Sequence, residues 1–82
     1  MKKINVEETI KLFRDWVVSN NGRNFTISEA LNNGTFTLFG HIGESCYMVL
    51  IFDGFIAPMG DFEQRNLHTT EDFAKFLQNA TI

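Results

Sequence analysis

Few residues in this chain are of types that carry covalent or acid–base chemistry. His41 and Cys46 flank Gly43-Glu44, and a tight hairpin there sets them directly opposite each other. A cysteine beside a histidine is the minimum for thiol catalysis, with the imidazole taking the thiol proton. Such a site also needs a group that orients the imidazole, donors for an oxyanion and a concave pocket. A short, flat sheet supplies none of these, so Cys46 reads as a small apolar strand residue. His68 precedes the last helix and reads as a solvated or staple residue. His41, His68 and Cys46 together lack recognisable metal-ligand spacing. A single cysteine excludes an intramolecular disulfide and a multi-cysteine zinc cage. Asp61 and Glu63 alternate beside Gln64 and Arg65; paired carboxylates can do acid–base work, but here they read as a solvated loop or edge strand. The glycines are scattered as turn residues and form no phosphate-cradling cluster. No catalytic residue, metal or cofactor is expected, and the chain reads as a non-enzyme.

The charge balance narrows the partners. Seven Lys and Arg against ten Asp and Glu give a formal charge of −3 over 82 residues. That excludes a strongly basic nucleic-acid binder. Phe39, Phe52 and Phe55 could form a stacking platform for bases, but the seven basic residues are dispersed and none lies in the two central strands. The acidic residues form no dense run that would mimic a nucleic acid. Met1–Glu8 has a basic start with no apolar stretch after it, so no signal peptide is expected. The longest apolar run, Tyr47–Phe52, is far below the roughly 20 residues of a membrane-spanning helix. The expected compartment is the cytoplasm, and the expected organisation is one domain over residues 1–82.

These residues must be positioned by two helices and a sheet. The first helix is expected over Val6–Asn20. Asn5 caps it, and Glu8 completes a capping-box pattern. Val6, Ile10, Phe13 and Val17 form one stripe, widened by Leu12 and Trp16, and Asn21-Gly22 supplies a left-handed stop. A second helix is expected over Thr70–Asn79, capped by Thr69, with Phe73, Phe76, Leu77 and Ala80 on one face.

Between the helices the period becomes two. Asn33-Gly34 and Asp53-Gly54 predict type I′ hairpins and Gly43-Glu44 a type II′ turn. The strands they delimit are Asn24–Leu31, Thr35–Ile42, Ser45–Phe52 and Phe55–Met59. Counting outward from the turns pairs Leu31 with Phe36, Leu38 with Val49 and Ile51 with Ile56. A competing local reading makes Ser28–Leu31 a short helical turn capped by Ser28. The fold class is therefore α+β, a four-stranded antiparallel meander between two helices, in the order α-β-β-β-β-α.

That register puts Phe25, Ile27, Leu31, Phe36, Leu38, Val49, Ile51 and Ile56 on one face, with Glu29 breaking the pattern. Phe39, Met48, Leu50, Phe52, Phe55 and Met59 fall on the other, diluted by Thr35, Thr37, His41 and Cys46. A sheet with two apolar faces needs two covers. If the short helix crosses to the second face, everything is buried. If both helices share the first face, the second shows Phe and Met side chains over several hundred Å², more than an ordinary monomer leaves open.

The function expected from that second case is a protein-binding module, an inhibitor acting by occlusion. Its anchors are Phe39, Met48, Leu50, Phe52, Phe55 and Met59, with Asp53 and Glu44 on the rim. The partner is another protein or a second copy of the chain, with neither nucleic acid nor membrane expected. The fourth strand, ending near Pro58, is a second candidate contact as a sheet edge, although Pro58 blunts it. The alternatives are a small-molecule or nucleotide-sequestering protein with a pocket at a dimer seam, and an immunity or antitoxin-like partner. In profile (short, rich in Phe and Asn, without catalytic signature or targeting signal) the chain resembles the small accessory proteins of phages and mobile elements. Many of those bind and inhibit host proteins, including defence nucleases.

Overall fold

A computed structural model describes residues 3–29 and 34–80. Helix α1 runs Val6–Ser19, and the Asn5 side chain accepts a hydrogen bond from the Glu8 N–H at 3.0 Å. The returning half of the capping box is not made. The Asn5 N–H instead donates to Thr70 Oγ1 at 2.8 Å, a partner 65 residues away that the docked second helix brings into place. At the other end, Asn21 N–H donates to Val18 O at 3.1 Å and Gly22 N–H to Val17 O at 2.7 Å, the paired bonds of a Schellman stop. Asn21 carries the left-handed φ of 60°. Gly22 serves closeness instead: a Cβ there would lie 2.7 Å from Val17 O and 2.8 Å from His41 O.

Strands β1 (Arg23–Glu29), β2 (Phe36–Ile42), β3 (Ser45–Ile51) and β4 (Ile56–Gly60) follow, then helix α2 (Thr70–Asn79). The sheet is an antiparallel meander in the order β1-β2-β3-β4, so the fold is α+β with the element order α-β-β-β-β-α. Leu38 pairs with Val49, His41 with Cys46 and Ile51 with Ile56, the register set by the two-residue turns. Gly43 has φ 61°, as the first residue of a type II′ turn requires. The Asp53-Gly54 turn departs from type I′, because only Gly54 has positive φ, at 107°.

The β1–β2 register is a correction. Phe36 pairs with Glu29, two residues from the expected Leu31, so the connection is longer than a two-residue turn. The shift is even, so each side chain keeps its face. Ser28 and Glu29 are extended, against a helical turn there. Asn33 and Leu31 lie outside the described residues. A bulge between Arg23 and Thr26, where Asn24 has φ 60°, bends the start of β1.

Both helices pack on one face. Phe13 and Val17 of α1 meet the sheet at Gly40, where a Cβ would stand 2.7 Å from Val17 Cγ2. α2 packs beside α1. Leu38, Ile42, Tyr47, Val49, Ile51 and Ile56 form the sheet side of the core, closed by Phe13, Val17, Phe73 and Leu77 from the helices. Between them lies Phe62, 6% exposed, its ring 6.2 Å from Phe13, 4.7 Å from Tyr47 and 5.3 Å from Phe76. The 60–68 segment is therefore more than a solvated loop. Phe62 is a core residue, and Asp61 Oδ2 accepts the Cys46 N–H at 2.8 Å. Glu63, Gln64 and Arg65 do face solvent.

Candidate interaction surface

The register arranges the second face in cross-strand rows. Thr26, Phe39, Met48 and Met59 form one row, and Ser28, Thr37, Leu50 and Ala57 the next. At one end Phe52 and Phe55 stack, ring centroids 4.6 Å apart. At the other, Arg23, His41 and Cys46 stand side by side. None of Phe39, Met48, Leu50, Phe52, Phe55 or Met59 belongs to the hydrophobic core or packs against it. No described helix crosses this face. It is apolar over β3 and β4, and polar over β1, where Thr26 and Ser28 are exposed.

Exposure is spread rather than concentrated. All six apolar residues are half-buried, because neighbours across a flat sheet shield one another. Ala57, between Leu50 and the edge, is 8% exposed. The rim acids sit in the two turns that bracket β3: Glu44 at one end, Asp53 at the other, both exposed.

The face also holds the His41–Cys46 pair. Cys46 is a half-buried free thiol, and His41 Nδ1 is buried with no hydrogen-bond partner among the described residues. The nearby carboxylate, Asp61, is committed to the Cys46 backbone N–H and does not orient the imidazole. Among the described residues no three His, Cys, Asp or Glu groups could hold a metal ion. His68 is exposed, with Nδ1 3.5 Å from Gly54 O.

The β4 edge is partly covered. Ile56 exchanges two backbone hydrogen bonds with Leu67, at 2.7 and 2.8 Å, so the 60–68 segment covers that edge at its start. The open edge is β1. Its outer side meets no other described element, and Ile27, on the core side of the sheet opposite Leu38, is 46% exposed. Strand alternation puts Ile27 on the core face, but periodicity cannot tell an edge strand from a central one.

A concavity lies elsewhere. A groove of about 600 Å³ runs between α2 and the 61–67 segment, floored by Tyr47, Phe62 and Phe76. Its rim carries two exposed ion pairs, Arg65 with Glu63 at 3.2 Å and Lys75 with Glu71 at 3.5 Å. No helix among the described residues is long and apolar enough to cross a membrane. Comparison of the chain with protein-family models, curated proteins and solved structures yields no match, so its function has to be argued from this surface.

Proposed function

We propose that this chain is a non-enzymatic protein-binding module that docks a partner protein on the helix-free face of its sheet. The observation that carries the reading is the separation of two apolar sets. One is sealed beneath both helices; the other, Phe39, Met48, Leu50, Phe52, Phe55 and Met59, lies outside that core, half-buried and under no described helix. Phe and Met are favoured in interface cores, Met because its flexible thioether adapts to a partner's shape. The six side chains of the patch carry no formal charge; Glu44 and Asp53 stand at its two ends, with Arg23 beside His41 and Arg65 near Met59. The fitting partner is an apolar protein surface with a polar rim. An inhibitor or an immunity protein would act from such a surface by occlusion, and the likeness in profile to phage accessory proteins makes a host protein the natural class of partner.

The test is capture from lysate by wild-type protein and by Phe52→Asp, followed by titration of the purified candidate. Binding by wild type and loss in a folded Phe52→Asp variant supports the reading. Equal binding by the two, or a Phe52→Asp chain that unfolds outright, removes it. A wild-type chain that captures nothing and doubles its mass through Phe52 points to self-association across the same face.

A further inference from the structure

The edge of the sheet supports a conclusion separate from its open face. Natural sheets blunt their edges with Pro, charges, bulges or a covering segment. Leu67 does this for β4. β1 has a bulge at its start, but from Phe25 to Ser28 it is a neutral run without Pro, exposed over six of its seven residues. Its outer backbone groups receive no hydrogen bond from another described element. Ile27 and Val18 are the exposed large hydrophobics among the described residues.

We infer that β1 pairs with β1 of a second copy, antiparallel about a twofold axis near Thr26, to give a continuous eight-stranded sheet. Two observations choose this occupant. Antiparallel self-pairing centred on Thr26 is isologous, and it sets Phe25 beside Ile27 of the second copy on the core side, covering the exposed Ile27.

The second observation is the position of α1, which packs over β1 and β2. With strands about 4.8 Å apart, a twofold at the β1 edge would put the two α1 axes about 10 Å apart for a helix midway between β1 and β2 and about 14 Å for one over β2, a range that long side chains span. Thr9, against Thr70, and Trp16, against Tyr47, mark the flank of α1 turned toward α2. At 100° per residue the opposite flank carries Glu7, Arg14, Lys11 and the exposed Val18, with Ile10 between that flank and the sheet. Phe13 lies by Phe25, so the axis near Thr26 crosses α1 close to Ile10. Antiparallel helices then meet at Ile10, with Glu7 of each copy near Arg14 of the other. Arg14 is at present 3.5 Å from its exposed neighbour Asp15, a weak engagement that leaves it available.

Sedimentation equilibrium over a concentration series tests this. Wild type should show about twice the 9.4 kDa chain mass, and Ile27→Lys, at an exposed position, should sediment as a folded monomer. Glu7→Lys should weaken dimerisation roughly tenfold, and the double variant Glu7→Lys/Arg14→Glu should restore it. A wild-type monomer at about 100 µM, well above a micromolar dissociation constant, overturns the inference. So does a dimer indifferent to Ile27→Lys, or one lost in Phe52→Asp alone. Because Ile27 and Glu7 are off the helix-free face, failure here leaves the reading of that face standing, and failure of that reading leaves the edge pairing intact.

Discussion

The hydroxyls of Thr9 and Thr70 lie 3.0 Å apart in a buried contact between the starts of the two helices. Asn5 completes the cluster. Its N–H donates to Thr70 Oγ1 at 2.8 Å, and its carbonyl accepts from Thr9 Oγ1 at 2.7 Å. The Thr70 N–H donates to Lys3 O at 3.0 Å. These bonds tie the two helix N-termini together on the face where Phe73 and Leu77 of α2 join Phe13 and Val17 of α1 in the core.

Thr70→Val should therefore destabilise the protein more than a surface change would. The valine keeps the shape but removes the acceptor of the Asn5 N–H, while the Thr9 hydroxyl keeps only its bond to Asn5 O. The expected loss is about 1–3 kcal/mol. A thermal melt should show the midpoint lowered by roughly 4–8 °C per kcal/mol for a domain of this size. An unchanged midpoint would mean that the helices are held by apolar packing alone.

Gly40 reports on the other side of the helix–sheet contact. Its Cβ would meet Val17 Cγ2 at 2.7 Å and Phe13 Cζ at 3.4 Å. Gly40→Ala should push α1 off β2 at a cost of about 1–3 kcal/mol, read as a lower denaturant midpoint with the slope retained. Gly34, around whose Cβ position no heavy atom lies within 4 Å, offers the sterically open comparison, although its φ of 68° disfavours a side chain for a different reason.

Phe39→Asp and Phe52→Asp probe the open face. Both side chains are half-buried and outside the core cluster, so circular dichroism and cooperative melting should survive. Binding of the partner should fall by roughly 2 kcal/mol or more for a central anchor. Phe52 also loses its stacking on Phe55, worth about 0.5–1.5 kcal/mol, so a modest fall in stability accompanies that variant and less accompanies Phe39→Asp.

Cys46→Ser separates the binding reading from the thiol one. The Cys46 backbone N–H, not its sulfur, makes the bond to Asp61. The substitution should leave the fold and partner binding intact, measured by melting and by titration. Complete loss of activity in a folded Cys46→Ser chain would restore a chemical role to the pair with His41.

Local rules in the sequence were enough for the two helices, their caps, the four strands, the β2–β3–β4 register and the sorting of Phe39, Met48 and Phe52 away from Leu38 and Val49. Capping, helical periodicity and strand alternation act within a few residues, and two-residue turns carry register from one strand to the next. The connection between β1 and β2 is longer than the Asn-Gly signal suggests, and there the inferred pairing slipped by two. Three further features depended on contacts between residues distant in the chain. Thr70 bonds Asn5 while Phe73 and Leu77 share the core with Phe13 and Val17, Leu67 pairs with Ile56 at the start of the β4 edge, and Phe62 enters the core from a polar stretch. Whether a chain segment returns to cover an edge or a face depends on the free energy of whole elements docking together, which no periodicity in Gly60–His68 encodes. Tertiary structure alone therefore decided that β1, and not β4, is the exposed edge, and that the Phe and Met side chains of the second face have no helix over them.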